Sequence, residues 1–220
     1  MDTKYPDHGT YEALYAKYLE RGVDEIIGAL PKVAGALVLD LCGGNGRLSR
    51  ALLKGRARRV ILVDQESAMV PNDLVYTEAK FRFLKGDVPY ILSYLLVHNK
   101  EAFDYVVCQQ AINYWLSADA AQGLCWIMRS GGVFVFNTFN EKPSETPQVK
   151  QYVHGGHSFV ETAWCTGDVV HHVQVRDGMQ PHYTTFKWIS PDQYREWLEP
   201  YFVVEEKRNG RSSLYVCTKK

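Results

Sequence analysis

What the chain lacks narrows its class before any motif is read. It has no excess charge of either sign: 25 lysines and arginines balance 25 aspartates and glutamates. Binding governed by nucleic-acid phosphates leaves a basic surplus, so no nucleic-acid partner is expected. No apolar run approaches the roughly 20 residues that span a bilayer, so no membrane partner is expected either. The opening stretch is too polar for the apolar core of a secretion signal, which makes a cytoplasmic location the expectation. Cysteine is sparse and never forms a C-x-x-C pair, a pattern unsuited to a zinc knuckle or a disulfide framework. Cys108, Cys125, Cys165 and Cys217 read as small buried hydrophobes; Cys42 stands apart because of its neighbours. Repeats and low-complexity stretches are also missing. The 220 residues, 46% apolar and 23% charged, are enough for one core that needs no covalent staple.

What is present alternates between two periodicities. Residues 36–41, 59–64, 81–84, 103–109 and 132–139 are short, nearly continuous apolar runs of the kind buried on both faces of a parallel sheet. Between them, residues 47–54, 88–98 and 118–129 carry apolar side chains at helical spacing. This predicts an α/β fold, a doubly wound and mostly parallel sheet with helices on both faces. After Asn140 the grammar changes. Residues 141–156 read as a loop, with Pro143, Pro147 and Gly155-Gly156. Residues 158–164, 169–176 and 182–188 then read as strands separated by turn residues such as Asp177-Gly178. Ser190-Pro191-Asp192 signals a helix start, and residues 201–206 and 213–218 form a hairpin around Asn209-Gly210.

In open α/β sheets, ligands sit at the carboxyl ends of the strands. The first such end is Asp40-Leu41-Cys42-Gly43-Gly44-Asn45-Gly46, where glycines allow a sharp turn close to a ligand. Asp64 ends the second run, where a carboxylate can take two ribose hydroxyls. Asp87, in Gly86-Asp87-Val88, follows the third and can accept from an adenine amino group. A helix N-cap is the plainer reading of both aspartates and is compatible with ligand contact. A dinucleotide site is disfavoured, because its third fingerprint position holds Ser49 and it leaves Asp40 and Asp87 without a role.

These residues resemble the first motif and its companions in the class I S-adenosylmethionine-dependent methyltransferases, from about residue 35 to residue 139. Cys42 departs from the pattern by standing at the first glycine, while Gly44 and Gly46 match and Gly43 sits beside it. The resemblance implies a seven-stranded, Rossmann-like sheet with a terminal antiparallel hairpin, and S-adenosyl-L-methionine as cofactor, released as S-adenosyl-L-homocysteine. It places Asp64 at the ribose, Gln65 beside it among the cofactor-binding residues, Met69 against the adenine, Asp87 and Val88 at the adenine edge, and the backbone near Gln109 at the methionine amine. Met69 reads equally as plain core.

The amino-terminal segment carries Tyr5, Tyr11, Tyr15 and Tyr18 ahead of Arg21, with Tyr11, Tyr15, Tyr18 and Leu14 on one helix face. It is similar to the tyrosine-rich first helix of small-molecule N-methyltransferases, which implies a lid over residues 1–30 and a role for Tyr11 or Tyr15 with Arg21 at the methionine carboxylate. A helix packing its rings on the core is the competing reading. Tyr114 and Trp115 follow the fourth strand, where such enzymes meet their acceptor, and offer an aromatic wall. Residues 141–189 read as an inserted acceptor cover holding five of the seven histidines. His171 and His172 are adjacent on a strand, so only one can face inward; no metal site is expected. His157 and His182 are the candidates for a general base, with Tyr114 as a further catalytic candidate. The expected activity is methyl transfer to a nitrogen of a small metabolite by a single-domain monomer or homodimer. The alternatives are an O-methyltransferase on a hydroxylated metabolite and a non-catalytic subunit that binds the cofactor or its product.

Overall fold

The structure, a computed structural model, describes residues 8–66, 79–98 and 102–220, without the side chains of residues 8 and 16–21. Five parallel strands form its centre: β1 (Leu37–Leu41), β2 (Arg59–Asp64), β3 (Phe81–Lys85), β4 (Phe103–Gln109) and β5 (Met128–Phe139). The terminal hairpin, β10 (Phe202–Asn209) and β11 (Ser212–Lys219), adds to β5 in the antiparallel sense. The resulting order, β10-β11-β5-β4-β1-β2-β3, meets the expectation of a seven-stranded, doubly wound sheet. Strand order reverses between β1 and β4, the neighbours where a ligand crevice opens in such sheets.

The alternation along each strand feeds two cores. Leu37, Leu39 and Leu41 of β1 pack with Phe134 and Phe136 under α3 (Val88–His98), α4 (Ala118–Ile127) and α5 (Pro191–Leu198). Val38, Leu62 and Val107 point to the opposite face, against Ile26 of α1 (His8–Ala29) and Leu48 and Leu52 of α2 (Arg47–Lys54). Such strands are buried on both sides, which is why the sequence shows unbroken apolar runs there. Ser190 caps α5 as its sequence suggests, its hydroxyl accepting from the Gln193 amide at 3.2 Å.

Two boundaries differ from the sequence expectation. The helix expected over residues 118–129 ends at Ile127, and β5 begins at Met128 rather than at residue 132. Met128 pairs with Phe103, and the register then shifts so that Tyr105 meets Val133. The intervening residues bulge at Gly131, whose φ of 68° suits glycine. The loop expected over residues 141–156 contains a further strand, β6 (Gln148–His154). Its side chains are mostly exposed, so no apolar pattern announces it; pairing with β7 (His157–Thr166) holds it.

With β8 (Val169–Arg176) and β9 (His182–Lys187), these strands make a separate antiparallel sheet, β6-β7-β8-β9. Gly155 and Gly156, at φ 58° and 79°, supply the two left-handed residues of its first hairpin turn. The sheet is tied to the carboxyl ends of the parallel strands. Asn113, in a short 3-10 turn after β4, donates its amide to the Lys187 carbonyl at 3.0 Å. Its Oδ1 accepts from Thr138 at 2.8 Å and from Tyr194 at 3.0 Å, so one buried amide joins β5, α5 and β9. Among the described residues no helix is long and apolar enough to cross a membrane.

Candidate active site

The turn after β1 is shaped by backbone conformations that side chains rarely adopt. Cys42, Gly44 and Gly46 have φ of 53°, 49° and 70°. Cys42 holds the left-handed conformation that glycine adopts freely, at a cost of about 1 kcal/mol. Its thiol is held well above the usual range by a hydrogen bond with Cys108 and by burial. Gly43 is needed for packing: a Cβ there would lie 2.7 Å from Leu62 Cγ and 2.9 Å from Asp40 Oδ2. Gly46 caps α2.

Asp40 lies beneath this turn and is fully buried. Ser49 donates to its Oδ2 at 2.6 Å, while Oδ1 has no partner. Burial pushes the carboxyl up to about 7, which agrees with the poorly solvated environment of Oδ1. Asp64, at the end of β2, does reach the cleft. Its Oδ2 accepts from the Gly44 amide at 2.8 Å and its Oδ1 from the Glu66 amide at 2.9 Å. Each oxygen keeps a further lone pair for a ligand hydroxyl. Burial raises its pKa above the usual carboxylate value, against the pull of these amides.

A cavity of about 570 Å³, within the range of small-ligand sites, opens over these strand ends. Cys42, Gly44, Asp64 and Gln65 line one side; Asp87, Val88 and Gln109 line the next. Gln65 donates its side-chain amide to Asp87 Oδ1. Tyr11, Tyr15 and Tyr114 close it from above. Asp40, Gly43 and Gly46 shape the turn from below without lining the cavity. Met69 and the side chain of Arg21 lie outside the described residues.

The first helix lies across this turn because Glu12 binds it: its Oε1 accepts from Asn45 at 3.0 Å and from Arg47 at 3.1 Å. That latch sets the rings of Tyr11 and Tyr15 side by side over the cleft, 4.9 Å apart. Burial raises both phenols above their ordinary range. Leu14, between them, is buried in the core.

A second cavity of about 740 Å³ adjoins the first and shares with it a wall of Gln110, Phe139, Glu161, His172 and Phe186. His172 Nε2 stands 3.5 Å from Glu161 Oε1, and the two side chains are only 15% and 16% exposed. The cross-strand row Ala163, His172, Thr184 selects this histidine for the cavity, leaving His171 outside against the ring of Trp164. Gln110 enters the wall with φ 55°, its amide fixed by Asn137 Oδ1 at 2.8 Å. Neither His157 nor His182 lines either cavity. His157 sits beside a hairpin turn, 3.3 Å from Asp177, and is half exposed. His182 Nδ1 is 2.7 Å from the Tyr15 hydroxyl, behind that ring. Tyr114 does line the first cavity, edge-on to Phe186 at 6.0 Å.

His172 and Glu161 thus face the cavities, and His157 and His182 do not. The available signal was the adjacency of His171 and His172, which requires one to face inward; choosing between them needs the strand register.

No curated protein matches the chain in sequence. The family described as "Methyltransferase domain" matches residues 38–132, which run from β1 to the bulge in β5. Solved structures share the fold over nearly the whole chain. An S-adenosylmethionine-dependent methyltransferase from Clostridium acetobutylicum has 16% identity and a TM-score of 0.68, covering 96% of each chain. An amino pentose methyltransferase from Micromonospora echinaspora, solved with S-adenosylmethionine bound, has 17% identity and a TM-score of 0.68, covering all of both chains. A sugar N-methyltransferase from Streptoalloteichus sp. has 17% identity and a TM-score of 0.64, covering 100% of this chain and 95% of the other. The family match lies on the strands that build the first cavity, and the seven-stranded order is that of the methyltransferase fold.

Proposed function

We propose that the enzyme methylates an amine nitrogen of a small polar molecule seated in the larger cavity, and that His172, backed by Glu161, removes the proton the amine brings. The observation that carries this reading is the wall shared by the two cavities, because a group from one and a group from the other can meet only there. Reacting groups held in contact and shielded from water gain much of their rate from placement itself.

The smaller cavity fits the cofactor. Asp64 offers free lone pairs to two adjacent ribose hydroxyls, Asp87 and Val88 stand where an adenine edge is read, and the strand end at Gln109 receives the amino group. Tyr11 and Tyr15 cover the methionine portion. S-adenosylmethionine supplies, when bound, a methyl group on a positively charged sulfur.

The larger cavity has the chemistry of a polar, ring-containing acceptor. Phe139 and Phe186 present stacked rings 6.2 Å apart, Trp188 adds a third, and Asn137, Gln148 and Asn209 offer amides to hydroxyl groups. Glu161, on the wall shared with the first cavity, offers a carboxylate to a cationic group at the place where the two cavities meet. An alkyl amine is an ammonium near neutral pH and has no lone pair to give. Imidazole is a suitable proton acceptor in that range, and a carboxylate beside it stabilises the charge it takes up. The names of two fold relatives, an amino pentose and a sugar N-methyltransferase, support an amino-sugar-like acceptor.

The test is transfer of isotope-labelled methyl from S-adenosylmethionine to a panel of amino sugars, their hydroxyl counterparts and simple amines. Label on nitrogen of the amino sugars is the expected result. Label only on the hydroxyl compounds overturns the nitrogen assignment; cofactor binding without transfer to any member or to a metabolite extract overturns the enzymatic reading of the larger cavity.

A further inference from the structure

The wall shared by the two cavities has a roof side and a floor side. Glu161, His172 and Phe186 reach it from the roof sheet, while Phe139 and Gln110 reach it from the ends of β5 and β4. Among the described residues, Gln110 is therefore the one hydrogen-bonding side chain that the floor contributes to both cavities. Its backbone amide is held by the buried Asn137, yet its carboxamide is exposed and has no partner among the described residues. Its φ of 55° lies in the left-handed region, which glycine adopts freely and glutamine does not. Gln109, one residue earlier, lies against α1 instead: a Cβ on Gly22 would stand 2.5 Å from its Nε2. The left-handed turn thus swings the second of two glutamines off the helix and into the junction. A costly backbone conformation that delivers an unpaired polar side chain to such a place points to function.

We infer that Gln110 selects nitrogen over oxygen in the acceptor, its Oε1 accepting the N–H that an amine keeps after giving a proton to His172, an assignment that rests on the amine reading of the larger cavity. An ammonium group that passes one proton to the histidine is left with a lone pair and at least one further N–H, unless it is tertiary. With His172 above and Gln110 below, that N–H is held from the floor and the lone pair is aimed at the smaller cavity. Placement of this kind is where such a site gains its rate. A hydroxyl group has a single proton. Once that proton is on His172, the oxygen has nothing to donate and meets the lone pairs of Oε1. A site built around a substrate N–H discriminates against the analogue that lacks it.

A carboxamide has two ends, and the other end predicts the opposite selectivity. Half a turn would offer Nε2 to an oxygen anion. The charge of the acceptor decides between them: with no other partner to hold it, the carboxamide turns its negative end to an ammonium. The two ends are separable by substitution, because glutamate keeps the accepting oxygen and loses the donor.

The test pairs methyl transfer to matched amine and hydroxyl acceptors with calorimetric binding of the same amine to the protein holding S-adenosylhomocysteine. Gln110→Leu removes the carboxamide at similar volume. It should lower kcat/KM for the amine by about 10- to 100-fold and weaken amine binding by up to about 10-fold, with cofactor affinity within a few-fold of wild type. The preference for amine over hydroxyl should fall on the order of 10-fold. Gln110→Glu should keep amine transfer within a few-fold of wild type while hydroxyl transfer declines. Should the leucine variant misfold, Gln110→Gly decides in its place. Relief of the left-handed backbone should hold or raise its melting temperature while amine transfer falls, whereas a purely structural glutamine would lose stability and turnover together. An unchanged amine preference in Gln110→Leu and Gln110→Gly overturns the assignment, as does a Gln110→Glu variant that fails as they do. A loss of cofactor affinity as large as the loss of amine transfer overturns it too. A wild type that transfers to no amine overturns the amine reading itself, and this assignment with it; the other outcomes leave that reading standing.

Discussion

The floor and the roof of the site are built by different rules. The floor is the set of carboxyl ends of β1, β2 and β4, and its chemistry comes from backbone amides and from carboxylates two or three atoms from the chain. Asp64 is fixed by two amides, one of them in the neighbouring turn, and Asp40 by the hydroxyl of Ser49 in the helix that follows. The roof is a sheet whose active face is chosen by register: Glu161, His172, Thr184 and Phe186 come from three strands and converge only because the pairing is what it is. A slip of one residue would present His171 in place of His172. Floor residues are therefore placed by chain neighbours, roof residues by strand partners far along the chain.

The largest expected effect falls on the roof. His172→Ala should lower kcat/KM for an amine acceptor by about 10²- to 10⁴-fold while leaving cofactor affinity within a few-fold of wild type. The loss should shrink at alkaline pH, where the amine arrives without its extra proton. His157→Ala, which removes a side chain paired with Asp177 outside both cavities, should keep near-normal turnover. Initial rates across pH check both; a His157 variant that loses turnover while the His172 variant keeps it breaks the assignment of the roof's active face.

A smaller effect, confined to the floor, is expected from Asp64→Ala. Loss of a carboxylate that serves two hydroxyls should weaken S-adenosylmethionine binding on the order of 100-fold by calorimetry. Unchanged affinity would remove Asp64 from the cofactor's partners.

A last effect, on stability and not on rate or binding, sharpens how the floor is supported. The Asp40 carboxyl is raised to about 7 by burial, well above its value of 3.8 in an unfolded chain. A group raised in this way contributes stability that is complete below pH of about 4 and is lost as pH rises through about 7. Wild type should therefore weaken relative to Asp40→Asn across that window, by on the order of 2–4 kcal/mol. Urea midpoints measured from pH 4 to pH 8 follow it; parallel curves for the two proteins would show that Asp40 is charged in the fold.

Legibility in the sequence divides along the same line. The runs over residues 59–64 and 103–109 coincide with β2 and β4, and those over residues 47–54 and 88–98 with α2 and α3, because each is apolar in a pattern set by its own period. The turn after β1 was readable from its glycines even though Cys42 replaces one of them, since the neighbouring residues specify the bend. β6 was not readable. All seven of its partners lie in β7, across the glycine turn, and most of its side chains face solvent, so the ladder that stabilises it leaves no trace in local composition. The histidines show the same gap: valines occupy both faces of β8, so alternation could not tell the cavity side from the outer side.

By itself, then, the sequence determined the parallel sheet, the glycine-bearing bend and the acidic strand ends, because burial period and backbone freedom are properties of neighbouring residues. Only the tertiary structure decided which histidine meets the cavities and that Glu161 stands beside it. Those depend on hydrogen-bond register between strands, which fixes the facing of every side chain at once and is set by partners the local sequence does not contain.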